Sequence, residues 1–161
     1  LERQLEGIDA IFCPVGGGGL AAGVAGYLKA VDAQIHVVGC QPMNSAVMYE
    51  SVREGRIVDR VSEPTLADGT AGGIEKGAIT FPICRDRIDE FILVQEGDIA
   101  SAIRSTLVRH HLLIEGAAAL SVAAFLRGAE AYKGQRVVLI LSGARISLEA
   151  LRIVLSTGGD H

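Results

Sequence analysis

The chain has no tryptophan, and its other large aromatics are only three tyrosines and four phenylalanines. It carries a net charge of −4, and no stretch forms a basic stripe. Without a basic footprint, nucleic acid is not an expected partner. Cys13, Cys40 and Cys84 are odd in number and lack C-x-x-C spacing. They read as reduced, buried thiols of a cytoplasmic protein, not as a disulfide framework. His110 and His111 have no second His or Cys cluster at metal spacing, which speaks against zinc. The longest uncharged apolar stretch, near 117–126, is too short to span a bilayer, so no membrane role is expected. The opening Leu1-Glu2-Arg3-Gln4 is a polar helical start and not a signal peptide. An opening on leucine also suggests the tail of a longer protein or a piece of one.

What is present is a globular chain. Its 161 residues are 49% hydrophobic, with a mean hydropathy of +0.35. That suits one domain with a real core. The organising stretch is Pro14-Val15-Gly16-Gly17-Gly18-Gly19-Leu20-Ala21-Ala22-Gly23. An apolar run leads into it and a small-residue helical pattern leads out. Four glycines remove every Cβ from the turn, so an anion can approach the backbone closely. A helix N-terminus adds a positive partial charge of about half a unit. The stretch reads as a phosphate cradle, with a merely flexible turn as the plainer alternative. It is no standard nucleotide motif. No Lys-Ser or Lys-Thr follows Gly19, and a forced G-x-G-x-x-G meets Ala21 and lacks the partner acid.

Along the chain, residues 1–6 read as a helix end and 9–15 as a buried strand. A helix follows over 20–31, with Leu20, Val24, Tyr27, Leu28 and Val31 at helical spacing. Residues 35–40 form a second buried strand, ended by Gln41-Pro42. A helix over 45–54, stopped by Gly55, precedes a long functional loop, 56–73. A short helix, 81–87, leads to a strand over 90–95. Asp98 caps the next helix, which runs towards His111. An alanine-rich helix over 116–127, a strand over 136–141 and a helix over 147–155 complete the order. Alternation of this kind predicts a layered αβα domain with a mostly parallel sheet, whose ligands gather at strand carboxyl ends.

Four places could carry chemistry. Ser142-Gly143 follows an apolar strand. Ser142 is a hydrogen-bonding partner or a turn cap, and it lacks the frame of a nucleophile. Glu115 lies between apolar and tiny residues. It is either a partly desolvated acid or an N-cap-like acid at a helix start. Asp68-Gly69, within Thr65-Leu66-Ala67-Asp68-Gly69-Thr70, either lines a site or makes an Asx turn. Lys29, Lys76 and Lys133 are the only lysines, and each reads as solvated.

Pro14 to Leu20, Thr65 to Gly69, Ile114-Glu115-Gly116-Ala117 and Leu141-Ser142-Gly143-Ala144 together resemble the second half of fold-type II pyridoxal-phosphate enzymes. This is the tryptophan synthase β-like fold, in its threonine dehydratase and serine racemase branch. The resemblance covers essentially the whole chain in order. It implies a lyase that eliminates water from threonine or serine, giving a 2-oxo acid and ammonia. Backbone N–H groups of Gly16, Gly17, Gly18, Gly19 and Leu20 would hold the phosphate of pyridoxal 5'-phosphate. Ser142 would bond the ring nitrogen and leave it unprotonated, which suits elimination. Glu115 would sit beside the ring, with Asp68 and Gly69 near it.

The family's Schiff-base lysine lies in an upstream Ser-Phe-Lys motif that this chain lacks, as it lacks the upstream asparagine loop. No catalytic residue is therefore assigned, and the chain is expected to be inactive alone. Ala144-Arg145 replaces the usual continuation of the serine-glycine turn. Gln41 and Val47 stand where racemases place carboxylates for a divalent ion, so no metal is expected. That favours a dehydratase over a racemase. The end near His161 leaves no room for a regulatory domain, so residues 1–161 are expected to form a single domain. A racemase, another elimination or replacement enzyme, or a non-catalytic phosphate-binding domain are the alternatives. Missing neighbour strands would leave an open sheet edge, so a dimer is expected.

Overall fold

The computed structural model describes residues 7–156. The helix end expected over 1–6 lies outside them. In chain order the elements are β1 (Ala10–Pro14), α1 (Gly19–Val31), β2 (His36–Pro42), α2 (Val47–Glu54), α3 (Thr80–Arg87), β3 (Glu90–Val94), α4 (Glu96–His110), α5 (Gly116–Gly128), β4 (Val137–Leu139) and α6 (Leu148–Ser156). Short 3-10 turns lie at Asp68–Thr70 and Ala129–Tyr132. No described helix is long and apolar enough to cross a membrane.

The four strands form one parallel sheet in the order β3-β2-β1-β4. Parallel strands need crossovers, and these place helices on both faces. Every residue of β1 is buried, and its side chains alternate between two cores. Phe12 points to one, with Val38, Ile99, Ile103 and Leu120. Ile11, Cys13 and Val15 point to the other, with Leu28, Met48, Phe81 and Cys84. From β1 the chain steps outward to β2 and β3, then returns to place β4 on the other side of β1. The sheet therefore reverses direction between β1 and β4. A crevice opens beyond the strand ends at such a point.

Several expectations shift. Of the apolar positions expected to form the inner stripe of α1, Leu20, Tyr27 and Val31 are exposed, Val24 is half-buried against the core and Leu28 is buried, together with Ala21, Ala22 and Ala25. Small side chains let this helix lie close to the sheet and α3. Strand β2 continues through Gln41 and Pro42, which pair with Leu93 and Val94. Strand β4 is shorter than 136–141, because β1 leaves the sheet at Pro14 for the glycine turn. Ile140 N–H still reaches Phe12 O at 3.0 Å. Asp98 does not cap α4. Gln95 holds that position, and Asp98 N–H donates to its carbonyl at 3.0 Å. Helix α2 begins at Val47 and not at residue 45. Ser45 is buried and its hydroxyl meets that of Ser62 at 2.7 Å.

Lys29 is not solvated. Its side chain is 11% exposed and lies 2.7 Å from Asp89 Oδ2. Its ammonium also donates to Ala33 O at 3.2 Å. Asp89 takes the Val37 N–H at 2.7 Å. Burial pushes the Asp89 carboxyl up, but the Lys29 and Val37 hydrogen bonds outweigh it and hold the group below the usual carboxylate range. A depressed folded value contributes stability above the unfolded value, and that contribution is lost as pH falls through the folded one. Asp89→Asn is therefore expected to be less stable than the parent at neutral pH, with the difference vanishing in acid. Urea unfolding at a series of pH values checks this. A difference that persists undiminished below the carboxylate range counts against the assignment.

Candidate active site

Strand β1 ends at Pro14, and Val15 N–H still reaches across to Cys40 O at 2.9 Å. The chain then turns through four glycines into α1. Gly18 has φ +88°, a conformation that side chains other than glycine rarely adopt. A Cβ there would also meet Met48 Cε at 2.7 Å and Cys84 Sγ at 3.0 Å. One at Gly16 would meet Thr70 Cα at 3.1 Å. The turn is thus wedged between the Asp68–Thr70 turn and helices α2 and α3. Gly17 and Gly19 instead face open space, with nothing within 4 Å of an added Cβ.

The first helical bond of α1 runs from Ala22 N–H to Gly18 O, at 2.7 Å. The N–H groups of Gly19, Leu20 and Ala21 precede it and have no partner within the helix. Gly16 to Leu20 line a recess of about 320 Å³, whose other walls include Gly69, Thr70, Glu115, Ala117 and Ser142. The reversal of the sheet thus brings the glycine turn after β1 and the serine after β4 to one cavity.

Glu115 precedes α5, but its carboxylate does not cap that helix. Instead Oε2 accepts the Arg145 N–H at 2.9 Å, and Glu115 N–H donates to Gly143 O at 3.2 Å. These bonds join the 115–116 and 142–145 segments, 30 residues apart in sequence. A Cβ at Gly143 would stand 2.5 Å from Glu115 Cδ, so any side chain there would push the carboxylate out of its present place. Asp68 departs from the group. Its Oδ1 accepts the N–H of the next residue, Gly69, at 2.8 Å, one residue short of an Asx turn, and it lines a neighbouring cleft. Gly69 is on the recess wall.

That neighbouring cleft is larger, about 510 Å³. Its walls carry four carboxylates, Asp68, Glu96, Glu115 and Glu149, against the single cation Arg145, among apolar side chains. Such a lining disfavours an anion, so the smaller recess is the candidate phosphate site. Three thiols lie close by but are inert. Burial pushes Cys13 up to about 12 and Cys84 up to about 11, and it raises Cys40 further. Gln41 is also occupied, since its Oε1 accepts the Tyr49 N–H at 2.7 Å.

Thr70, the last residue of the polar turn singled out in the sequence, packs its backbone on Gly16, whereas sequence reasoning missed Ala117 on the recess wall. It also missed Thr80, whose hydroxyl donates to Gly17 O at 2.7 Å. Neither Ala117 nor Thr80 carries a local signal, because each acts through a contact that is distant in sequence.

The chain is 36% identical to the L-threonine ammonia-lyase of Geobacter sulfurreducens over 157 residues, covering 97% of this chain and 39% of that one. It is 37% identical to the threonine dehydratase of Nicotiana attenuata, covering 96% of this chain and 26% of that one. Among solved structures, the processed threonine deaminase isoform 2 of Solanum lycopersicum superposes with a TM-score of 0.90 at 35% identity. That superposition covers 98% of this chain and 46% of that one. Serine racemase of Dictyostelium discoideum gives 0.82 at 34% identity, over 91% of this chain and 47% of that one. The chain thus spans less than half the length of each. The sequence pattern of pyridoxal-phosphate dependent enzymes matches residues 1–143 and so takes in the glycine turn, Glu115 and Ser142. With that match over most of its length, the chain belongs to the pyridoxal-phosphate dependent enzyme family.

Proposed function

We propose that this chain is the cofactor-phosphate half of a threonine or serine ammonia-lyase. The observation that carries the reading is the meeting of the glycine turn and Ser142 in one recess at the reversal of the sheet. The residues fit the group. Unfilled space lies over Gly17 and Gly19, the first turn of α1 contains no acid, and its leading N–H groups are free to bond an anion. Gly16 to Leu20 would hold the phosphate, and the neutral Ser142 hydroxyl would meet the ring nitrogen. When bound, the cofactor supplies an electron-accepting ring that stabilises charge at the substrate's amino carbon. Glu115, held by the Arg145 N–H, fixes the wall between recess and cleft and keeps the 142–145 turn in place.

The lysine for covalent attachment comes, on this reading, from sequence outside the chain. Lys76 and Lys133 are exposed, and Lys29 is tied to Asp89. The substrate would be a small β-hydroxy amino acid, gripped by residues this chain does not provide. The likeness to serine racemase keeps racemisation as a second reading. Against it, Gln41 presents a carboxamide already bonded to Tyr49 where a cation would need a carboxylate. Strand β4 leaves its outer edge without a strand partner among the described residues, which supports self-association, as a dimer.

Pyridoxine 5'-phosphate is the suitable probe, because it keeps the phosphate and ring but has no aldehyde to react with exposed lysines. Calorimetric titration should show saturable one-to-one binding that inorganic phosphate displaces. The same sample should scatter light as a dimer, and it should release no ammonia from threonine with added pyridoxal phosphate. Absence of saturable binding overturns the cofactor reading. Ammonia release overturns the external-lysine reading, and a monomer at high concentration overturns self-association.

A further inference from the structure

We propose that Thr80, at the start of α3, is a positioning residue that presets the phosphate cradle from behind, by holding the Gly17–Gly18 peptide with its N–H aimed into the recess. The inference rests on the phosphate reading above. The Thr80 hydroxyl donates to Gly17 O at 2.7 Å, across 63 residues of sequence. No peptide bond in the described chain is cis. In a trans peptide the carbonyl of one residue and the N–H of the next point in opposite directions. Fixing Gly17 O towards α3 therefore turns Gly18 N–H away from α3. Thr80 does not line the recess, whereas Gly17 and Gly18 do. The N–H is thus directed to the recess side.

The next peptide is held in the same sense. Gly18 O accepts Ala22 N–H at 2.7 Å and the Cys84 thiol at 3.8 Å. Burial raises the Cys84 group to about 11, so it remains an S–H donor at neutral pH. Gly19 N–H then points out of the helix start. Two successive amides are oriented before any anion arrives, and α3 supplies a holding contact to each. A run of four glycines has large conformational freedom, and restraining it in advance removes part of the ordering cost of binding. Met48 Cε and Thr80 Cβ close the space behind Gly18, so the turn cannot relax backwards.

The test uses Thr80→Val, which keeps the side chain's shape and removes the hydroxyl, and Thr80→Ser, which restores a donor. Pyridoxine 5'-phosphate should bind Thr80→Val about tenfold more weakly than the parent, and Thr80→Ser within about threefold of it. Melting temperatures should stay close, since the contact lies at a partly exposed helix start. In nitrogen-15 correlated NMR the Gly18 amide proton should move downfield as the parent is titrated. That response should shrink in Thr80→Val. If the parent binds and Thr80→Val binds equally well with the same Gly18 response, the positioning role is overturned while the cradle stands. If the Gly18 amide of the parent does not move although the probe binds, the role is overturned without reference to any variant. If the parent does not bind at all, the phosphate reading itself fails and takes this role with it.

Discussion

Gly19→Asp is expected to weaken pyridoxine 5'-phosphate binding at least about 100-fold while leaving the melting temperature unchanged or higher. Gly19 is on the recess wall, and a side chain there enters unfilled space. A carboxylate about 4 Å from a phosphate costs about 4 kcal/mol at the effective dielectric of a protein surface, and each 1.4 kcal/mol is about tenfold. Stability should move the other way. Residue 19 opens α1, whose first turn lacks an acid. An acid there gains about 0.3–1 kcal/mol from the helix dipole. Gly23→Asp is the control, since it adds the same charge one turn later, outside the recess, where an added Cβ meets nothing within 4 Å. It should keep the affinity within a few-fold. Titration calorimetry and thermal melts on the three proteins separate the two effects. Undiminished affinity in Gly19→Asp would place the phosphate elsewhere.

Gly116→Ala should be the most damaging single-methyl change, costing about 3 kcal/mol or more. The helix α5 begins here against the loop before the Asp68–Thr70 turn. A methyl group would overlap the carbonyl of Leu66 and approach Ala67 N to 2.8 Å. These are backbone atoms, so no side-chain rotation relieves the clash. Leu66 cannot retreat freely either, since its N–H is bonded to Glu96 Oε2 at 2.7 Å. For a domain of this size the expected drop in melting temperature is about 6–12 °C. Gly23→Ala provides the contrast. It sits on an open helix surface and should gain about 0.4–1 kcal/mol. Urea unfolding of both decides the matter, and a Gly116→Ala protein as stable as the parent would contradict the packing described here.

These two glycines show what a sequence reveals and what it hides. The turn around Gly16 to Gly19 was legible because strand, glycines and helix are contiguous and each has a local signature. The αβα layering was legible for the same reason, since continuous β-branched runs such as 35–40 alternate with helical patterns. Gly116 was visible only as part of a motif. Its need for glycine comes from Leu66, 50 positions away, and spacing alone cannot disclose such a contact. Lys29 looked solvated because nothing next to it in the sequence, Leu28 and Ala30, offers it a partner, but Asp89 arrives from the far end of a crossover. Glu115 was left between two roles by its local sequence. It occupies the cap position without capping, because the Arg145 N–H takes its carboxylate.

The alanine face of α1 also explains a wrong expectation. Bulk at helical spacing suggested Leu20, Val24, Tyr27, Leu28 and Val31 as the inner side, but only Leu28 is fully buried, because close approach to the sheet favours the smaller Ala21, Ala22 and Ala25. Asp98 and the ends of β2 and β4 differ for a related reason. Caps and strand limits follow from what the partner chain does. The partner of β4 is the strand that turns away into the glycines.

The placement of β4 beside β1 sets a timetable for synthesis. Asp9 and Arg136, which are bonded through Asp9 Oδ2 and Arg136 N–H, are separated by 127 residues. A ribosome adding about 5–20 residues per second needs about 6–25 seconds to cover that distance. Throughout that interval the most buried strand has one edge unpaired. Its apolar side chains can be covered by α1 and β2, but the slot for β4 stays open until residues 137–139 have been made. Long-range parallel pairing of this kind folds slowly and is prone to wrong partners. The strand that places the phosphate recess is therefore also the one most in need of a chaperone's protection until β4 arrives.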